Sequence, residues 1–244
     1  MNKIALISVS DKTNIDLLAS KLVENGYTII STGGTANYLQ EKGIKIIPIS
    51  EFTKFEEILG GRVKTLHPII HAGILAKSKK DLDKLKNKKY SLIDMVVVNL
   101  YPFEKTIAKK TCSFSLAIEN IDIGGPTLLR ASAKNHQRVT VLTDPLDYDQ
   151  VLDEIENKGN VQPKTRLRLA TKVYSLVSKY DSLIASYLNK STEKNNGLMD
   201  EKISIDAKEL YKLRYGENPH QKAKIYEITN PHLTKFEYTQ LSGK

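Results

Sequence analysis

The sequence predicts an α/β fold with a parallel sheet covered by helices on both faces, and three observations lead there. Over the first half of the chain, short β-type apolar runs alternate with stretches of helical spacing. One run, residues 93–99 (IDMVVVN), is nearly all apolar, as a strand buried on both faces should be. The segments between runs are long enough for right-handed βαβ crossovers, which make neighbouring strands parallel.

Each element has its own signal. Residues 4–9 are an apolar run that ends in Ser10-Asp11-Lys12-Thr13. Thr13 with Asp16 three positions on reads as a capping box, and Ile15, Leu18 and Leu22 form a helical stripe that stops at Gly26. Residues 27–31 are the next strand, broken at Thr32-Gly33-Gly34-Thr35, and a helix then runs to Gly43. A third strand covers 44–49, and a further one covers 138–143, followed by a helix ending near Gly159. From Pro163 to Asn189 the apolar positions 170, 173, 177, 180, 184 and 188 keep helical spacing, which reads as two helices, with Pro163 well placed at a helix start. Residues 191–202 are polar with little periodicity and read as a linker. The forty or so residues after it are too few for an independent core, so 203–244 reads as the opening of a second domain cut short. Ile225, Tyr226, Phe236 and Tyr238 would then lack sheet partners.

Composition narrows the function classes. An apolar content of 40% with no run of eighteen apolar residues argues against a membrane-spanning chain. The N-terminus enters an apolar strand directly, without the regions of a secretory signal. Cys112 is the single cysteine, which suits a reducing cytoplasm. The net charge of +9 raises the question of nucleic acid, but much of it lies in residues 77–89, with seven lysines against two aspartates. Leu82 and Leu85 give that segment a thin apolar edge, and no aromatic residues interleave with the lysines, so it reads as a solvated helix rather than a nucleic-acid site.

Ligands of open parallel sheets bind beyond the carboxyl ends of the strands. The residues just beyond the strands here are polar: Ser10, Asp11 and Lys12; Thr32, Gly33, Gly34 and Thr35; Asn99 and Tyr101. The first two groups sit where helices begin, so amides, hydroxyls and an ammonium could converge on a phosphate. Ser, Thr and Gly also favour turns and caps without any ligand. Neither a G-x-G-x-x-G nor a G-x-x-x-x-G-K-[ST] is present, which favours a phosphate monoester over a dinucleotide or a P-loop nucleotide. Three more clusters stand out: Arg62, Lys64 and Thr65 in a glycine-led loop, Asp122 before Gly124-Gly125, and Lys134-Asn135-His136 at a helix end. A basic loop, a helix cap and a charge suited to the helix dipole are the plain structural readings of the three. His67 and His71 have the i, i+4 spacing of a metal pair, but Pro68 intervenes and no HExxH or CxxC accompanies them, so no metal is expected.

In this order SVSDKT, STGGT, GGRVKTLHPIIHAGIL, VVNLYPFE, IDIGGPTLLRASAKNH and LRYGENPHQ resemble the bifunctional purine biosynthesis family, AICAR formyltransferase/IMP cyclohydrolase, over essentially the whole chain. The resemblance implies a methylglyoxal-synthase-like cyclohydrolase domain over residues 1–190. It also implies that 203–244 begin a folate-dependent transformylase, where Arg214 and Tyr215 would help bind AICAR. It assigns the substrate phosphate to Ser10, Lys12, Thr32, Gly33 and Thr35, with Arg62 and Thr65 nearby. The reacting end would meet Lys64, Asn99, Tyr101, Asp122, Ile123, Gly124 and Lys134. The implied reaction closes FAICAR to IMP with loss of water, needing no cofactor. The longer parent would use 10-formyltetrahydrofolate, and a homodimer is implied.

That chemistry is physically reasonable for such residues. Nucleophile and electrophile belong to one molecule, so alignment alone can supply effective molarities of about 10⁵ M or more. What remains is proton transfer and stabilisation of a developing oxyanion, tasks for acid–base groups and aimed donors. Lys64 and Tyr101 are the proton-handling candidates, with Asn99, Lys134 and the Gly124 amide near the oxyanion, and Asp122 orienting Lys134 or taking a proton. Two other readings share the fold: a methylglyoxal-synthase-like phosphate-ester lyase, and an allosteric nucleotide-binding module such as that of carbamoyl phosphate synthetase. The module would have no need of Lys64, Tyr101, Asp122 and Lys134.

Overall fold

A computed structural model describes residues 3–88, 90–192 and 207–228. Its contacts divide the chain into two units, Met1–Tyr187 and Leu188–Lys244.

In the first unit the apolar runs become five parallel strands: β1 (Lys3–Val9), β2 (Tyr27–Ser31), β3 (Ile46–Pro48), β4 (Met95–Asn99) and β5 (Thr140–Leu142). Their order is β3-β2-β1-β4-β5. Ala5, Leu6, Ile7, Met95 and Val96 are fully buried, as a sheet covered on both faces requires. The chain steps one way from β1 to β3 and the other way from β4 to β5. Right-handed crossovers therefore put α1 (Ile15–Glu24) and α2 (Gly33–Glu41) on one face, and α4 (Pro68–Leu75) and α8 (Gly124–Lys134) on the other. α4 packs on α8, and α1 packs on α9 (Tyr148–Lys158). The direction reverses between β1 and β4, whose last paired residues are Val9 and Asn99. In open parallel sheets the ligand crevice lies at such a reversal, beyond the carboxyl ends of the strands.

Several expected boundaries move. Thr13 is not a helix cap: its amide and hydroxyl both donate to Asp11 Oδ1, at 3.0 and 2.7 Å. α1 instead starts after Asn14, held in the left-handed region at φ 55°, which asparagine tolerates better than most residues. The third strand is shorter than 44–49, because Ile49 already begins α3 (Ile49–Thr53). The lysine-rich segment contains α5 (Lys79–Asn87), and its capping box is Ser78 with Asp81. Two amides and the hydroxyl around Ser78 hold the Asp81 carboxyl down to about 2. Leu85 is buried and the lysines of α5 are exposed.

The expected pair of helices over 163–189 is one, α10 (Pro163–Thr192). No glycine or proline interrupts it after Pro163, so nothing in the backbone stops it. Its stripe serves two cores in turn. Leu169, Ala170, Val173 and Val177 join the main core, whereas Tyr180 joins a smaller one with Phe103 and Ala117. Phe103 opens α6 (Phe103–Ile107), and Ala117 lies on α7 (Phe114–Glu119). Ser191 and Thr192, expected in a linker, are thus helical, and 193–202 lie outside the described residues.

The second unit contains an antiparallel hairpin of β6 (Ala207–Lys212) and β7 (Lys224–Ile228). Ile225 and Tyr226 are exposed on it, while Phe236 and Tyr238 lie outside the described residues. Among the described residues no helix is long and apolar enough to cross a membrane.

Candidate active site

The crevice between β1 and β4 is built around Asn99. Its Oδ1 accepts the Ser10 amide at 2.7 Å, the Ser10 hydroxyl at 2.9 Å and the Asp11 amide at 3.0 Å. Its Nδ2 donates to the Asp11 carbonyl at 2.9 Å. The hydroxyls assigned to a phosphate are likewise engaged with the chain. Thr32 shares a hydrogen bond with Ser8 at 2.7 Å, and the Thr35 hydroxyl donates to the Val9 carbonyl while accepting the Val9 amide. These bonds tie the start of α2 to the end of β1. They leave the amides of Gly33 and Gly34 and the Lys12 ammonium as the donors for an anion.

Gly33 opens α2 with φ +39°, a conformation that side chains rarely adopt. A Cβ there would stand 3.7 Å from the Lys64 ammonium, so Lys64 comes close to the start of α2 from the loop before α4. The charge of the same ammonium favours the ionised form of Asp122. The Asp122 Oδ1 accepts the Gly125 amide at 2.8 Å, and the Tyr101 amide also favours the ionised carboxylate. Burial raises the Asp122 pKa, while those two amides and Lys64 oppose the rise. Thr65, 5% exposed, presses on the start of α8: a Cβ on Gly124 would come within 2.7 Å of its Oγ1. Lys64 thus lies beside Gly33, and its neighbour Thr65 lies against Gly124.

Other assigned residues are placed differently. The Tyr101 and Ile123 side chains are exposed at the rim. Arg62 forms an exposed ion pair with Glu119 at the end of α7 through two of its nitrogens. Lys134 is exposed at the last residue of α8, about 15 Å of helix from Gly124. Arg214 and Tyr215 are exposed in the connection between β6 and β7, which the Asn218 amide to Gln221 Oε1 bond helps close at 2.9 Å.

The histidine pair serves α4. His67 is its N-cap, with Nδ1 accepting the Ile69 amide at 3.2 Å. His71 Nε2 is buried without a hydrogen-bond partner among the described residues, and burial lowers the His71 pKa.

Three side chains escape a reading of the sequence. Asn135 donates to the carbonyls of Ile74 and Ala76, and Arg138 donates to those of Gly73, Ile74, Ala76 and Ile93. Together they satisfy the orphan carbonyls at the end of α4. Tyr180 accepts the Asp122 amide at 2.8 Å. All three bind partners that are far away in sequence, so no local motif announces them. A crevice at the opposite, N-terminal end of the strands, lined by Lys3, Tyr27, Asp94, Arg138 and Arg166 among others, has both guanidinium groups bound to main-chain carbonyls.

A strand order with this crevice and these loops defines a class, and the matching family model is described as an MGS-like domain, over residues 14–127. A second, described as AICARFT/IMPCHase bienzyme, matches residues 132–244. Relatives named bifunctional purine biosynthesis protein PurH agree along the chain. That of Caldicellulosiruptor bescii is 53% identical over 100% of this chain and 48% of its own length. That of Lactobacillus acidophilus is 53% identical over 99% and 47%. A solved structure titled "Crystal structure of ForH" is 35% identical with a TM-score of 0.68, over 76% of this chain and 98% of that one. The chain belongs to the AICARFT/IMPCHase bienzyme family. It spans about half the length of the curated relatives it matches.

Proposed function

We propose that this chain is an IMP cyclohydrolase, closing FAICAR to IMP with loss of water, and that residues 1–190 carry the activity. The observation behind this reading is the position of the Lys64 ammonium, beside Gly33 at the start of α2, where its charge also favours an ionised Asp122. A phosphate held by the Gly33 and Gly34 amides and Lys12 would direct the rest of a small nucleotide toward Lys64, Asp122 and Tyr101. Ser10, Thr32 and Thr35 shape that cradle through bonds within the chain. Arg62 reaches the phosphate only by exchanging Glu119 for it.

In the reaction the carboxamide nitrogen bonds to the formyl carbon and gives up one proton to the formyl oxygen; the formamide nitrogen then gives up its own proton and forms a C=N bond as that oxygen leaves as water. Asp122 takes and returns a proton, a role favoured by its raised pKa. Lys64 and Tyr101 handle the protons at the nitrogen and the departing oxygen. The Gly124 amide, at the start of α8 beside Ile123, is aimed at the developing oxyanion. Asn99 contributes the Nδ2 hydrogen that the Asp11 carbonyl leaves over. Lys134 completes the set by resemblance, and its distance along α8 makes it the assignment the geometry supports least.

In the full-length parent, a linker follows α10 and 203–244 opens an AICAR formyltransferase domain using 10-formyltetrahydrofolate, with Arg214 and Tyr215 contacting AICAR. The cyclohydrolase itself uses neither a cofactor nor a metal. Its partner is a small nucleotide, its compartment the cytoplasm and its assembly a homodimer. The test is an absorbance assay for IMP formed from FAICAR by purified protein with excess chelator and no folate. Absence of IMP, or methylglyoxal formed from dihydroxyacetone phosphate, refutes the reading.

A further inference from the structure

The residues proposed to react sit on separate segments: Tyr101 comes just after β4, and Asp122 lies between α7 and α8. Neither segment belongs to a strand at that point, so something else must fix their spacing. The smaller core does so. Phe103 lies two residues after Tyr101, and its amide donates to the Tyr101 carbonyl at 2.8 Å. Its buried ring meets the Tyr180 ring edge-on, 6.2 Å between centroids, and the Tyr187 ring at 5.7 Å. Ala117, two residues before the end of α7, fills the same core. The Tyr180 hydroxyl accepts the Asp122 amide at 2.8 Å.

We propose that Tyr180, 58 residues from Asp122 in sequence, is a positioning residue for the reacting groups. Its hydroxyl fixes the main chain at Asp122 and its ring fixes Phe103. One side chain of α10 thereby links the main chain at Asp122 to the Tyr101 segment. The inference rests on the cyclohydrolase reading for its kinetic consequence, but the geometry it describes exists without substrate.

Loss of the hydroxyl frees the Asp122 main chain, and the carboxylate then loses alignment with the Gly125 and Tyr101 amides. Those amides favour the ionised form, so their loosening raises the Asp122 pKa further above that of an ordinary carboxylate. The charged groups to be considered are Lys64, whose charge favours an ionised Asp122, and Asp181, beside Tyr180 on α10.

The test uses the whole chain with Tyr180→Phe, which keeps the ring in the core. For FAICAR, kcat should fall about 10- to 100-fold, as misplacement of a reacting group by an ångström can do, with KM within about twofold. A ¹³C NMR titration of Asp122 should move upward. Unchanged kcat and an unmoved titration would overturn the proposal, even if Tm fell, because that pattern describes packing alone. If the variant does not fold, 4-fluorophenylalanine at position 180 fills the same space and offers only a very weak acceptor. A loss of kcat with an upward titration supports the proposal, and no change in either overturns it. Should the wild-type chain make no IMP, the cyclohydrolase reading fails, and the titration alone decides whether Tyr180 positions Asp122.

Discussion

Asn99, at the end of β4, holds Ser10, just beyond β1, by two hydrogen bonds to one oxygen, from the amide at 2.7 Å and the hydroxyl at 2.9 Å. Asn99 thus shapes the β1–α1 turn, in addition to any donor it offers a substrate. Asn99→Ala should release that turn and raise the KM for FAICAR at least about tenfold, with a smaller effect on kcat. Steady-state kinetics decide it: a loss confined to kcat would return Asn99 to the reacting end alone.

Lys64→Ala and Tyr101→Phe should each lower kcat by about 10²- to 10⁴-fold in folded protein, the scale of proton-handling groups. Lys12→Ala should mainly raise KM, because a phosphate handle is bound alike in the ground and transition states. Lys134→Ala is the separating case, since a side chain about 15 Å along α8 must act differently from Lys64. If Lys64→Ala leaves kcat within a few-fold, the assignment of the reacting end is wrong.

Asp122 gives a prediction with a definite sign. Its pKa is raised in the folded chain, mainly by burial, so folding favours its protonated form. This contribution is fully present below the unfolded pKa of about 3.9 and is lost as pH rises through the folded value. Asp122→Asn should therefore abolish turnover yet raise Tm at neutral pH, with the gain fading as pH falls toward about 4. Differential scanning calorimetry at both ends of that range measures it, and a lower Tm at neutral pH contradicts the burial argument.

Arg138→Met should cost about 3 kcal/mol or more, because the carbonyls of Gly73, Ile74, Ala76 and Ile93 lose a shared donor and Asp94 loses its ion pair. Urea unfolding reads this directly. A change under about 1 kcal/mol would mean that water replaces the guanidinium there.

Neutralising four lysines of the 77–89 segment should leave turnover nearly unchanged at physiological salt, where surface charges beyond about 8 Å are largely screened. A large rate loss with the fold intact would assign the segment to substrate steering.

The strands, the loops after them and most of the candidate site are legible in the sequence because each leaves a local mark. An apolar run bounded by hydroxyls and glycines is read within a dozen residues, and the Gly33 and Gly124 loops are of that kind. The hidden part is non-local. Arg138 meets α4 more than sixty residues back, and Tyr180 meets Asp122 across 58. The expected Thr13 cap fails for the same reason on a smaller scale. Two oxygens compete for one turn, and Asp11 captures the hydroxyl expected to cap the helix. Over 163–192 the apolar stripe is plain, but it passes between two cores on one helix, a division that spacing does not record.

The strand order also constrains how the chain is made. β1 leaves the ribosome first, yet its second neighbour, β4, begins at Met95. At roughly 5–20 residues per second, the apolar strand at the centre of the finished sheet has one bare edge for about 5–20 s of synthesis. During that interval it is the chain's most exposed template for wrong pairing. The crevice cannot form before that edge closes, because Ser10 waits for Asn99. A nascent chain stalled before residue 99 would therefore be adhesive and unable to hold a nucleotide.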